Sequence, residues 1–420
     1  MRHLTRIRIS AATRGVLLLV PTVFAYGVDM RPFAEEGYWS SVSGKVSFGL
    51  TFVGPACAVC GAWEAGRLRR ARVFAWAPAR GRLRVTVDAL VPVLLLGLAG
   101  VIAGLVAAWP AVAGAPGGPN PLIALTWGMV IVGHTAWGFL LGHFLIAPAA
   151  IPTAAMTAYV WMAYPATLSN PWVRHLNGVS LESCCALDQE PSTRVVAGVC
   201  VLAAGSVLAV SIAVAGPRRA ATYAIASAVV AVSGVGGALS VHTMGTEAVQ
   251  TRDNGGTCSG TAPRVCLWPE QGDGARGIGD RLRTSHAALV AAGIDLPGTL
   301  TTTDPPAPDR LRLWLTAHPT GQEAVMALAA AMLPAGPPEC ARQGRPYAAY
   351  AAYAPTLAWL GLTAGAAPGA ETDRIQPRDW QLAAHVREFA TAQQLAWYTT
   401  NRDALATCGV PAALDPTGTP

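Results

Sequence analysis

Seven continuously apolar stretches occupy the first 243 residues: 15–28, about 45–63, 85–109, 122–146, about 151–168, 195–215 and 220–243. Crossing roughly 30 Å of hydrocarbon at these lengths requires helix, which also satisfies every backbone hydrogen bond. Barrel strands are excluded, because the runs are continuous rather than alternating. AGAPGGPNP at 113–121 and the prolines at 148 and 152 punctuate the series as tight turns. The pattern predicts an all-α polytopic membrane helix bundle of about seven spans over 15–243, preceded by a basic N-terminal segment, 1–14. A secretory signal peptide competes for the first run, since Ala25-Tyr26-Gly27 resembles a cleavage site.

From residue 244 the pattern changes. VCLWP (265–269), LTTT (300–303) and LRLWLTA (311–317) have strand character. Apolar positions at helical spacing predict helices over 280–294 and 320–333 and one long helix over Gln376–Leu405. The uncharged stretch 347–365 is long enough for an eighth span. Pro355 at its middle and three tyrosines at one end favour a buried helix with a proline break. Residues 244–420 therefore read as a mixed, mainly α soluble domain.

Charge gives the runs a direction. Glu64 to Arg84 holds seven arginines and one acid between two apolar runs. Short loops this rich in arginine stay on the cytoplasmic side. Alternation then puts the N-terminus inside and 244–420 outside. The segments placed inside hold 13 arginines, whereas the outer ones before 244 hold four basic residues and six acids. This topology predicts a bacterial plasma-membrane protein, multi-pass, with an extracytoplasmic C-terminal domain. Composition agrees: hydrophobic residues are 52% and charged residues 13%, against roughly 25% charged in soluble domains. The net charge of +6 sits in the membrane half, with no basic stripe interleaved with aromatics in the polar half, so nucleic acid is not an expected partner.

Six of the nine cysteines lie in polar segments, an even number suited to an oxidising exterior. Cys258, Cys266, Cys340 and Cys408 are the structural disulfide candidates, and four cysteines allow three connectivities. Cys57 and Cys60 form a CxxC inside an apolar run, where free cysteine behaves as a small hydrophobe. His134 and His143 fall on roughly opposite faces of the fourth run, which disfavours a shared metal. His385 and Glu388 make an isolated HxxE, and HExxH, GxSxG and Walker A motifs are absent. No catalytic, metal-binding or cofactor-binding residue is assigned, and the chain is not expected to be an enzyme; a membrane-tethered hydrolase is the alternative on this point.

The layout of a basic N-terminus, six spans, a charged inner loop after the second and an outer loop before the sixth resembles the permease subunits of ABC-2-type transporters. That resemblance covers about 1–215 and implies a permease-type subunit of an exporter, paired as a homo- or heterodimer and served by a separate ATPase. It casts Glu64, Arg67, Arg69, Arg70 and Arg72 as ATPase-docking residues; a purely topogenic role explains the same arginines. Cys266-Leu-Trp-Pro-Glu270, the distal Cys340 and Cys408-Gly409 make the tail similar to an uncharacterised extracytoplasmic domain of actinobacterial membrane proteins. A seventh span and this outer domain depart from the simple ABC-2 plan. The alternative is a membrane-anchored, non-transporting binding or sensory protein whose outer domain recognises a ligand or envelope partner.

Overall fold

The computed structural model describes residues 10–76, 81–217, 220–252, 256–271, 275–303, 307–369 and 375–416. The chain divides into two compact units, Met1–Arg252 and Asp253–Pro420. The boundary falls beyond the expected 243/244 because residues after the last long helix return to the first unit. Strand β1 (Gln189–Pro191) pairs antiparallel with β2 (Val249–Thr251).

The first unit is helical. Its elements are α1 (Ala11–Met30), α2 (Trp39–Ser47), α3 (Leu50–Arg70), α4 (Arg82–Ala108), α5 (Pro121–Phe144), α6 (Ala147–Ala163), α7 (Thr193–Ala215) and α8 (Ala220–Val241). Among the described residues, five helices are long and apolar enough to cross a membrane: Ala11–Phe33, Arg82–Val112, Pro121–Phe144, Thr193–Ala215 and Ala220–Val241. A sixth candidate is the pair α2 and α3, bent by 48°. By length and composition, five or six of the expected seven are thus candidates among the described residues. Helix α6 has 17 residues, about 26 Å at 1.5 Å per residue, which is short of the roughly 30 Å hydrocarbon core.

Helix α3 is central, packing on α1, α4, α5 and α6. Lipid tails are as apolar as leucine, so helices in a bilayer gain little from simple burial and associate through close backbone approach. Small residues permit that approach here. Gly138 and Gly142 of α5 lie against the backbone of α3, where a methyl group on either would collide with the carbonyl oxygen of Ala58 or Ala62. Gly61 of α3 abuts the Thr135 carbonyl in return. On another side Ala150, Ala154 and Ala158 of α6, four residues apart, form a buried cluster with Ala58 and Ala62.

The second unit carries a four-stranded sheet and its own core. Strand β3 (Thr257–Ser259) pairs antiparallel with β4 (Arg264–Leu267), which runs parallel to β5 (Thr299–Thr301), itself parallel to β6 (Arg310–Arg312). Helix α9 (Ala275–Ala291) connects β4 to β5. Helix α10 (Gly321–Ala331) opens on a capping box, Thr320 with Glu323, which satisfies two of the otherwise orphaned donors. Helix α11 (Tyr353–Thr363) is the apolar stretch that invited an eighth span. At 11 residues it covers only about 16 Å, and its side chains lie in the unit's core around Trp359. Pro355 sits in its first turn rather than at a break, where a missing N–H costs no intrahelical bond.

The single helix expected over Gln376–Leu405 is two, α12 (Pro377–Val386) and α13 (Thr391–Leu405). Gln394 explains how the break is tolerated. Its Nε2 donates to the carbonyls of Arg387 and Phe389, while its Oε1 accepts from the indole of Trp359. The bend places Trp397 and Tyr398 against that indole, with ring centroids 6.3 and 5.3 Å away.

Two disulfides join the tail cysteines, Cys258 to Cys266 across β3 and β4, and Cys340 to Cys408. Cys184 and Cys185, the remaining cysteines of the polar segments, are adjacent and buried.

The contact between α3 and α5 makes a sharp prediction. Gly138→Ala should destabilise the protein in detergent by roughly 1–3 kcal/mol, the usual cost of overpacking a filled contact. Gly128→Ala, on the same helix with open space around it, should leave the melting temperature unchanged or slightly raised. Equal melting temperatures for the two variants would remove the close-approach explanation.

Candidate functional site

The arginine-rich segment is less loop-like than its composition implies. Helix α3 runs through Arg70 and α4 starts at Arg82. Arg80, Arg218, Arg219 and the three arginines before residue 10 lie outside the described residues. Glu64, expected to dock a partner, is fully buried. Its carboxylate accepts from Ser10 Oγ at 2.9 Å and from Arg67 Nε at 2.6 Å, and Arg67 completes a second contact at 2.6 Å. Ser10 is also the N-cap of α1, so Glu64 fastens the start of α1 to the end of α3.

Arg69 is likewise occupied within the chain, donating to the His143 carbonyl at the end of α5. Cations near a helix C-terminus are favoured by its dipole. Arg70 lies over the Trp63 ring at 5.8 Å. Arg70 and Arg72 are exposed. Of the five docking candidates, these two are the ones that face solvent most openly.

The other sequence candidates stay apart. Cys57 and Cys60 are free, buried thiols. His134 is buried in α5 and donates from Nδ1 to the Val130 carbonyl, whereas His143 stacks near Phe139. His385 and Glu388 form a 3.1 Å pair with both side chains largely exposed. Among the described residues no group of three or more His, Cys, Asp or Glu is placed to hold a metal.

The second unit presents a site that the motifs did not show. A cleft of about 550 Å³ lies between Pro334–Pro337, the tyrosines 347, 350 and 353, the start of α12 and Leu405. The tyrosines recur every third residue and so share a face. Their ring centroids are 6.1 and 6.2 Å apart, and Tyr350 and Tyr353 are nearly parallel, at 13°. Tyr350 is 67% exposed. Tyr347 is fixed by its hydroxyl, which donates to the Leu405 carbonyl at 2.7 Å. Burial pushes that hydroxyl above the usual phenol value, reinforced by Tyr350, so it remains a donor at neutral pH.

Opposite the rings, Gln376 and Asp379 form a capping box at the start of α12. Their side chains are thereby committed to the helix. Arg378 between them is 79% exposed, 3.9 Å from the Asp379 carboxylate, and supplies a cation at the cleft. The arrangement offers aromatic faces for stacking, a guanidinium fork for hydroxyl or carboxylate oxygens, and no nucleophile–base pair. The tyrosine spacing was readable in the sequence; the approach of residues 376–379 and 405 was not.

One further polar contact fixes the 171–183 segment of the first unit. His175, fully buried, bonds through Nε2 to the Gly245 carbonyl at 2.9 Å and through Nδ1 to Ser180 Oγ at 3.1 Å. A carbonyl only accepts, so Nε2 carries the proton and Nδ1 accepts from the serine hydroxyl. Burial pushes the imidazole below its ordinary value of 6.5; the Gly245 bond opposes this, Arg174 adds to it, and Glu247 opposes it.

The sign of the pH effect follows. With the folded value below the unfolded one, the unfolded chain takes up the proton first as pH falls. The stability due to neutral His175 is complete above about 6.5 and declines as pH falls toward and through the depressed folded value. Melting temperatures from pH 8 to pH 5 should therefore drop more steeply for the native chain than for His175→Gln. Parallel curves would refute the assignment.

Residues 265–408 match a family described as "Domain of unknown function (DUF7224)". The match spans the distance from β4 to the second cysteine of the Cys340–Cys408 bridge and includes the tyrosine cleft. Comparison with curated proteins and with solved structures gives no match.

Proposed function

We propose that this chain is a bacterial plasma-membrane recognition protein: the helical unit anchors it, and the second unit binds an extracytoplasmic ligand in the tyrosine cleft. The cleft carries this reading. Its volume lies within the roughly 300–1,000 Å³ range of ligand sites, and aromatic rings with one guanidinium are suited to a carbohydrate. The apolar C–H faces of sugar rings stack on tyrosine, and Arg378 meets hydroxyl or uronate oxygens. In this reading α1, the bent α2–α3 pair and α4 to α8 make seven crossings, α6 doing so together with the short 3₁₀ turn Tyr164–Thr167 that continues it. The arginine-rich end faces the cytoplasm, by the same sorting that keeps short basic loops inside. The tail then lies in the oxidising exterior, which suits its two bridges.

A second reading, the permease-type subunit of an ABC exporter working as a dimer with a separate ATPase, draws support from exposed Arg70 and Arg72. Glu64 has no part in docking under that reading, being consumed within the chain. A matching ATPase that co-purifies in mild detergent and is released by the double change Arg70→Ala and Arg72→Ala, with the fold intact, would favour it. Absence of any such ATPase would leave the recognition reading alone.

The recognition reading is tested on a glycan array with the full chain in nanodiscs. Tyr350→Ala removes an exposed ring without opening the core and should weaken binding about tenfold, or on the order of 1.4 kcal/mol. The melting temperature should not move. No glycan bound above the Tyr350→Ala background would defeat it.

A further inference from the structure

Four helices, α5 to α8, together with Leu176 and Asn177, line a cavity of about 310 Å³ in the first unit. No Asp, Glu, Lys or Arg is among its lining residues, so a charged ligand would enter without a counter-ion. The polar side chains along the wall are mostly spent within the chain. Trp137 Nε1 donates to Thr157 Oγ, which donates in turn to the Thr153 carbonyl. Ser206 donates to the Leu202 carbonyl, and Asn177 donates to those of Trp161 and Met162 while accepting from Val179 N.

His134 also lines the cavity, but its donor bond goes to Val130 and its ring edge abuts Gly54. A Cβ on Gly54 would stand 3.2 Å from Nε2. A stable water needs two to four polar partners, and this wall does not provide them. The space equals roughly ten water volumes at about 30 Å³ each, large enough for a substantial stretch of hydrocarbon.

We infer that this cavity seats one acyl chain of a bilayer lipid. The site is separate from the tyrosine cleft and requires neither reading of the chain's function. Three of its four wall helices, α5, α7 and α8, are themselves candidates to cross a membrane, so the occupant reaches it sideways from the bilayer without passing through water. Selection is by shape and dispersion rather than by charge.

The test uses the full chain in nanodiscs whose phosphatidylcholine carries dibrominated stearoyl chains, with tryptophan fluorescence as the readout. Bromine quenches only tryptophans close to it, so filling the cavity separates an occupant inside it from surrounding lipid. The native chain should show a strongly quenched component that is lost in Ser206→Phe and in Val230→Phe, which fill the cavity from α7 and α8. The double change Trp137→Phe and Trp161→Phe should remove the same component while leaving the space open. Exposed tryptophans such as Trp63 and Trp109 supply a background common to all four chains. Equal quenching in the native chain and either folded filling variant overturns the proposal. So does a quenched component that persists without Trp137 and Trp161, a comparison that decides the matter even where a filling variant fails to fold.

Discussion

The helical unit depends on how closely α3 and α5 approach. Gly138 and Gly142 put the α5 backbone against the carbonyls of Ala58 and Ala62, and Gly61 returns the contact. Where lipid competes equally for apolar side chains, such backbone contact is what remains to hold two helices in one register. Two other features follow from it. The His134 ring fits only because Gly54 has no side chain. Glu64 is buried on the packed side of α3, and its carboxylate then needs the guanidinium of Arg67 and the hydroxyl of Ser10. An uncompensated carboxylate in that position would cost several kcal/mol.

Much of this unit was legible as hydropathy, because continuous apolarity over about twenty residues has few structural outcomes. Helices occur at all seven runs. Hydropathy does not measure where a helix bends or starts, however. Pro148 lies in the first turn of α6 rather than in a turn before it, and that helix gives way to a 3₁₀ turn at Tyr164. The spacing of four that joins Gly138 to Gly142, and Ala150 to Ala154 and Ala158, was also present in the sequence. It is silent in a hydropathy profile, which scores glycine and alanine weakly wherever they occur. The charge pattern likewise located a segment without locating its partners. Ser10 lies 54 residues from Glu64, and no local rule links them.

The second unit shows the same limit in soluble form. Strands at 264–267 and 299–301 and helices near 280 and 321 follow from local pattern. The break between α12 and α13 does not, since no glycine or proline marks it. It arises because one side chain, Gln394, satisfies the carbonyls released at the bend and also binds Trp359. Tertiary contact here overrides a sequence that reads as one amphipathic helix.

The cleft is assembled from four segments distant in sequence, which raises the question of what keeps it from collapsing or opening. Three restraints converge on it. Tyr347 is hydrogen-bonded to Leu405, the capping box of Gln376 and Asp379 fixes the start of α12, and Cys340 is bridged to Cys408. Cys340 lies between Pro337 and Tyr347, and Cys408 follows Leu405 by three residues, so the bridge ties together the same two walls as the tyrosine hydroxyl. Its closure of a 68-residue separation stabilises the fold by limiting the unfolded chain, on the order of 4 kcal/mol in the entropic account. In the folded state it also fixes the width of the cleft, and a site ordered before its ligand arrives loses less freedom on binding. The bundle cavity has no covalent restraint of this kind. Its walls are set by helix packing alone, which suits the flexible acyl chain proposed for it better than the rigid sugar ring proposed for the tyrosine cleft.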